Sequence, residues 1–311
     1  MRTGAIQKLN TDSTSALDPQ MSHNGDWLAY VTMNQSWSVD QISVNKARGA
    51  AAERLIASSG RNHSAKYSPD GKEIAFVSDR SGTWEIWICD TSCAEPRQVT
   101  HFRGPWIGGL SWSPDSRQLA FDARVAHKSA IYRLTMAHGE PSPIESNDFE
   151  ERMPSWSIDG KSLYFNSDRD GSVSIWRRSL ESGATEKIDA ANAFYAREFG
   201  SSENLVMGHS DGTLWLAQAQ KRNALSAVGI ADPVLAWTTF GGKIYFCQRE
   251  GNDWLRVIES FHGNERLVTR ITAQTPQSSA SLDISPDGSH LLLSVVDHSS
   301  SNIYIRRGGL Q

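Results

Sequence analysis

The chain has 311 residues, enough for one large domain or two ordinary ones. Apolar residues make up 39 % and charged residues 21 %, which excludes a disordered chain. The formal net charge is -4 with no lysine or arginine run, and no stretch nears the roughly 18 apolar residues of a membrane helix, so neither a nucleic-acid footprint nor a membrane span is expected.

The first ten residues, "MRTGAIQKLN", show no apolar signal segment. Residues 5–10 read instead as a short strand. "MSHNGDWLAY" then begins at Met21, and it is the first of several related segments. The Ala-rich "ARGAAAERLIAS" has helical propensity, but its place in the pattern makes it a turn and a strand. "YSPDGKEIAF" follows at Tyr67, "WSPDSRQLAF" at Trp112 and "WSIDGKSLYF" at Trp156. Two decayed copies come next, "FGSSENLVMG" from Phe199 and "WTTFGGKIYF" from Trp237. "ISPDGSHLLL" closes the series at Ile284. The successive starts are separated by 46, 45, 44, 43, 38 and 47 residues.

Each clear copy has the same parts. A short apolar strand ends in Trp, Tyr or Ile. A Ser-Pro-Asp-Gly turn follows, in which Pro sets the first corner and Gly takes positive φ. An apolar strand such as Ile74-Ala75-Phe76-Val77 comes next, then a polar turn such as "SDRSG". A third strand ("EIWIC") and a fourth ("RQVT") complete the unit. Four antiparallel strands in about 40–45 residues is the period of a propeller blade. The expectation is an all-β, seven-bladed β-propeller of four-stranded antiparallel blades, one domain over residues 1–311, with blades starting near 21, 67, 112, 156, 199, 237 and 284. The last copy stops after its third strand, "NIYIRR". Residues 5–10 are therefore expected as the outer strand of the last blade, closing the ring.

Most motifs that hint at chemistry are explained by turns. "GHSDG", Gly208 to Gly212, matches a nucleophile pattern, but that pattern needs a helix after the turn and a strand is expected here. "SDRSGTW" lacks the central Asp of a sialidase Asp-box, where Arg80 stands. "SDRDG" has no calcium-loop continuation, because a strand follows Asp168 and Asp170. Cys89 and Cys93 could close a small loop in an oxidising compartment or remain two thiols; with Cys247 they make no zinc pattern. The nine histidines are scattered, and no cofactor is expected.

Propellers bind at the mouth of the central channel, where innermost strands begin. Residues four and five places before each copy mark that rim. The candidates are His63, Glu151, Arg152, Tyr195 and Asp232, with Trp106 and Arg197 near them. An aromatic, mixed-charge ring suits a peptide or protein segment.

The pattern "WSPDGxxIAFxSDRxGxxxIW" resembles the repeat of TolB-type propellers. The segments "LVMGHSDGTLWLA", "GKIYF" and "SPDGSHLLLSVVDHSSSNIYI" are similar to the propeller found C-terminal to CadC-like winged-helix regulators and some bacterial kinases. That resemblance implies a non-enzymatic sensor or protein-binding module, a protein or peptide partner, a monomer, and a periplasmic or extracytoplasmic setting. The alternative is a propeller enzyme, a polysaccharide lyase or glycosidase with its site in the channel.

Overall fold

The computed structural model describes residues 16–24, 26–44, 52–125, 127–137, 139–145, 148–189, 193–209, 211–218, 221–225, 236–251, 254–261, 264–274 and 281–307. Among them every regular element is a β-strand. Among the described residues no helix is long and apolar enough to cross a membrane.

The chain first lays down β1 (Ala16–Met21), β2 (Trp27–Ser43) and β3 (Glu53–Ile56). Five four-stranded antiparallel sheets follow in chain order. Sheet 1 holds β4 (Asn62–Tyr67), β5 (Glu73–Ser78), β6 (Glu85–Asp90) and β7 (Arg97–Gln98). Sheet 2 holds β8 (Ile107–Trp112), β9 (Gln118–Val125), β10 (Lys128–Thr135) and β11 (Ser142–Pro143). Sheet 3 holds β12 (Glu151–Trp156), β13 (Ser162–Ser167), β14 (Ser174–Ser179) and β15 (Thr185–Asp189). Sheet 4 holds β16 (Ala193–Phe199), β17 (Ser201–His209), β18 (Leu214–Gln218) and β19 (Lys221–Leu225). Sheet 5 holds β20 (Trp237–Phe240), β21 (Lys243–Glu250), β22 (Trp254–Phe261) and β23 (Asn264–Thr272). The chain ends with β24 (Leu282–Ile284) and β25 (His290–Arg307).

These last strands do not stand alone. β24 and β25 join β2 and β3 in sheet 6, which therefore draws on both ends of the described chain. Seven separate sheets are expected from the repeat; the described residues pair into six. The reason is the length of two strands. β2 and β25 pair continuously from Ser43↔His290 to Trp27↔Arg307, across one irregularity at Ser36 and Trp37. The copy at Met21 becomes β1 and the first half of β2, laid onto the same pair as a ribbon. Apolar side chains of this ribbon are open, with Met21 58 % exposed on β1 and Ile303 75 % and Ile305 68 % exposed on β25. Within sheet 6 the outermost described strand is β3, so the "ERLI" of the Ala-rich segment is a strand. Residues 5–10 lie outside the described residues.

The second strand of each sheet explains its fully apolar run. Successive side chains point to opposite faces. Ala75 and Val77 of β5 pack on Ile107, Leu119 and Phe121 of sheet 2. Ile74 and Phe76, which alternate with them in sequence, pack on Val39, Ile56 and Leu292 of sheet 6. Both faces of the strand are thus buried, and no polar alternation survives. The same exchange joins sheets 2 and 3 through Ala120, Ile131 and Phe165. It joins sheets 3 and 4 through Ile175 and Leu205, and sheets 4 and 5 through Val206 and Phe246. Tyr245 and Val257 of sheet 5 meet Leu291 and Leu293 of sheet 6. The cores run from each sheet to the next and from the last to the first, the arrangement of a β-propeller. Each buried large side chain contributes roughly 1.5–3 kcal/mol.

The turns are held by their own side chains. In the first, Ser68 Oγ donates to Asp70 Oδ1 at 2.7 Å and accepts from Glu73 N at 2.9 Å. The same pair recurs as Ser113 with Asp115, Ser157 with Asp159, and Ser285 with Asp287. Asp287, hydrogen-bonded by Ser285 and Ser289, is held down to a pKa of about 2.

The Ser-Asp-Arg turn is a clamp on the start of its own inner strand. Ser78 Oγ donates to Asn62 Oδ1 at 2.8 Å, and so does Arg80 Nη2 at 2.8 Å. Asp79 Oδ1 accepts Arg61 N at 2.6 Å. The Arg80 guanidinium lies over the rings of Phe76 and Trp87. Sheet 3 repeats this device with Arg169 on Glu151, Phe165 and Trp176, and with Asp168 accepting Glu150 N. Asp170 pairs with Lys187. These groups are occupied as turn and clamp residues, which accounts for "SDRSG" and "SDRDG" without chemistry.

Gly288 has φ +71°, and a Cβ there would sit 2.4 Å from Phe240 Cε1 of the neighbouring sheet. Gly82 has φ +93° but open space around it. Gly288→Ala is expected to cost about 2 kcal/mol or more, through both backbone strain and the clash, and Gly82→Ala about 1 kcal/mol through strain alone. Urea unfolding midpoints of the two variants measure the difference, and equal losses would contradict the packing described.

Candidate functional site

Pairing registers identify one ring of equivalent positions on the inner strands. Lys66 pairs with Ala75, Ser111 with Ala120, and Ser155 with Tyr164. Arg197 pairs with Val206, Thr238 with Tyr245, and Asp283 with Leu292. Each stands opposite the second apolar residue of its partner strand, so all six share one level of the structure. Four of them converge. Asp283 Oδ1 lies 3.4 Å from Lys66 Nζ, 3.5 Å from Arg197 Nη1 and 3.4 Å from Thr238 Oγ1. These groups come from sheets 6, 1, 4 and 5. Sheet 4 is not a neighbour of sheet 6 in the packing order, so Arg197 reaches across the axis to meet Asp283.

The remaining contacts orient this cluster. Asp283 Oδ2 accepts Tyr67 N at 3.0 Å. Lys66 Nζ donates to Leu282 O at 3.0 Å, and Arg197 Nη1 donates to Thr238 Oγ1 at 2.9 Å. Burial opposes the charge on Arg197, but Tyr195 and Asp283 outweigh it and hold its pKa above the ordinary arginine value. The Asp283 side chain is 6 % exposed, Lys66 14 % and Arg197 34 %, so the cations are the parts open to solvent.

At the start of the inner strands lies an aromatic cluster. The His63 and Trp106 rings stack with centroids 4.9 Å apart, and Trp84 meets both edge-on. Trp37 joins from sheet 6. Arg61 lays its guanidinium 4.5 Å from the Trp84 ring centroid and 5.6 Å from that of Trp37. His63 is 1 % exposed; burial, then the charge of Arg61, pushes its pKa down to about 3, so the ring is neutral. Its Nδ1 is 2.9 Å from Ser64 Oγ, while Nε2 and the Trp37 indole N–H have no partner among the described residues.

The other positions expected at the rim divide. Glu151 is buried beneath Arg169. Arg152 is half exposed and pairs with Glu150 at 2.7 Å. Tyr195 packs against Trp237, with ring centroids 5.0 Å apart. Arg197 belongs to the axial ring. Asp232 lies outside the described residues. The structure thus gathers His63 with Trp106, and Tyr195 with Arg197, but keeps Glu151 and Arg152 in ion pairs of their own sheet.

The sequence pattern marks Arg197 but not Lys66, Thr238 or Asp283. A signal was present: the residue before the first position of each clear copy is Lys66, Ser111, Ser155 or Asp283. The decayed copies hide it. Glu198, not Phe199, is the structural equivalent of Tyr67, and Thr239 rather than Trp237 takes that place in sheet 5. Any odd slip in register turns the face read as axial to the wrong side.

Asp122 bridges two inner strands. Its Oδ1 accepts Gly109 N at 2.8 Å and Met153 N at 3.0 Å. Gly108 makes room, since a Cβ there would lie 2.1 Å from Asp122 Oδ2. Burial pushes the Asp122 pKa up to about 6, against the pull of those two N–H groups. Elsewhere, Cys89 and Cys93 form a disulfide behind β6. Cys247 is buried as a free thiol whose pKa burial pushes up to about 12. In the "GHSDG" segment β17 ends at His209 and β18 begins at Leu214, while Ser210 lies outside the described residues. No three His, Cys, Asp or Glu side chains gather as a metal site among the described residues.

Comparison with known proteins supports a TolB-like propeller. A profile of the TolB beta propeller domain matches residues 96–228. An uncharacterized protein of Agrobacterium fabrum is 28 % identical over 130 residues, 41 % of this chain and 43 % of that protein. The chain spans less than half the length of the curated relatives it matches. A TolB-like protein of Agrobacterium tumefaciens superposes with a TM-score of 0.67 at 19 % identity, over 86 % of this chain and 99 % of that one. TolB from Acinetobacter baumannii gives 0.57 at 17 % identity, over 88 % and 68 %. At these identities the superpositions speak for the fold alone.

Asp122 makes a pH prediction. Its folded pKa of about 6 lies above the ordinary value of 3.8, so stability falls as pH rises through that window, by on the order of 3 kcal/mol when complete. Neutral His63 acts in the other direction, costing stability as pH drops below about 6.5. Asp122→Asn keeps the acceptor and removes the charge. Its unfolding free energy minus that of the parent, which cancels His63, is expected to grow between pH 4 and pH 6.5. A difference flat across that range would refute the assignment.

Proposed function

We propose that the chain is a protein- or peptide-binding module that takes its ligand at the channel mouth where the inner strands begin. The observation that carries this reading is the Arg61 guanidinium over Trp84, beside the stacked His63 and Trp106. Arginine and tryptophan on a rigid base are the residue types that dominate protein recognition energetically. Their supports are strands buried on both faces, so ordering them on binding costs little. Asp79 holds Arg61 through both its N–H and its Nε, at 2.6 and 2.8 Å, which fixes the guanidinium over the indole.

The setting follows the same reading. The Cys89–Cys93 disulfide fits an oxidising compartment, and with the resemblance to TolB-type propellers it supports a periplasmic or extracytoplasmic location. There a monomeric propeller would serve as the sensing arm of a larger protein, or as a free binder. Sheet 6, which draws strands from both ends of the described chain, would give such a role its stiffness.

Panning a displayed peptide library on the immobilised chain tests the proposal. The expected result is a selected sequence class whose affinity falls ten-fold or more in Trp106→Ala and in Arg61→Ala. Enriched peptides indifferent to both substitutions would place recognition elsewhere.

A further inference from the structure

The axial ring carries chemistry that the mouth does not need. β4 bulges between His63 and Lys66, so Lys66 lies only three partner-strand residues (Ser78 to Ala75) beyond Asn62, roughly 10 Å deeper at about 3.3 Å per residue, toward the Ser-Pro-Asp-Gly end. Two permanent cations, Lys66 and Arg197, face one carboxylate, Asp283. The carboxylate does not satisfy them. Its contacts to both are 3.4 and 3.5 Å, longer than the 2.7–2.9 Å typical of a charge-assisted hydrogen bond. Its other oxygen is committed to Tyr67 N. Among the described residues, one positive charge is left over beside Asp283. Ser111 stands on the same ring; its Oγ accepts Trp156 N, so its own O–H remains available as a donor.

We propose that this ring is an anion site, and that it takes a single carboxylate placed on the channel axis between Lys66 and Arg197. The charge balance selects the class. One carboxylate neutralises the surplus, whereas a dianionic phosphate would overshoot it and repel Asp283. The planar guanidinium offers a paired donor edge that fits a carboxylate. The carboxylate belongs either to the end or an acidic side chain of a threaded peptide, or to a small free acid. The site stands apart from the aromatic mouth, so it holds or fails independently of peptide recognition there.

Isothermal titration of the whole chain at low salt, with acetate, lactate and inorganic phosphate as probes, tests it. Trialanine with a free and with an amidated C-terminus distinguishes the two sources. Saturable binding of a carboxylate probe is expected, weakened ten-fold or more in Lys66→Gln and in Arg197→Gln, and unchanged in Arg97→Gln on the outer strand β7. Asp283→Asn guards against loss by misfolding, because removing the competing charge should tighten binding several-fold. Binding of trialanine acid but not its amide would assign a chain terminus. Binding of acetate or lactate alone would assign a free acid. Absence of saturable binding by every probe, binding unaffected by both cation substitutions, or a preference for phosphate over the carboxylates would overturn the proposal.

Discussion

The structure depends on sheets pressed face to face through their second strands. A four-stranded sheet with two apolar faces is not stable in water on its own. Phe76, Phe121, Phe165 and Phe246 are buried only because another sheet covers each of them. The stack must therefore return on itself or leave two greasy faces open. Sheet 6 answers that need by taking strands from both ends of the described chain, so that Tyr245 and Val257 on one side and Ile74 and Phe76 on the other meet the same sheet.

The repeated polar residues serve this packing. Ser68 and Asp70 hold the turn that admits β5. Ser78, Asp79 and Arg80 hold the beginning of β4 against it. Asn62 extends the clamp to the next sheet by donating to Trp37 O at 2.6 Å. A guanidinium over two aromatic rings, with its N–H groups aimed at Asn62, acts as both packing and hydrogen bonding. Repetition of the motif reflects repetition of a mechanical task.

Chemical variety is left to the positions the repeat does not dictate. Inner-strand side chains facing the axis have no sheet to cover them, so they vary: Lys66, Ser111, Ser155, Arg197, Thr238, Asp283. The mouth varies too, with aromatic residues concentrated on sheets 6, 1 and 2 and ion pairs on sheet 3. The carboxylate of Asp122 sits between these levels. It ties the inner strands of sheets 2 and 3 by their backbone N–H groups, and burial raises its pKa to about 6. A stiff frame with two chemically distinct levels along one axis is what the six sheets present.

The amino-acid sequence alone determined the strand order within a unit, the turn chemistry and the all-β class. Those are local matters: a period of two, a Pro-Asp-Gly corner, an apolar run of four. It also marked His63, four places before a clear copy of the repeat, with Trp106 and Arg197 near such rim positions. Only the tertiary structure decided how many sheets these strands make. Whether the segment at Met21 founds a sheet or extends one depends on hydrogen bonds between Trp27 and Arg307, 280 residues apart, and no local pattern encodes that choice. The axial cluster was likewise hidden, since its members lie on four different sheets and two of those sheets descend from copies too worn to align. Side-chain facing is a property of backbone pairing, and pairing is settled when the sheets pack.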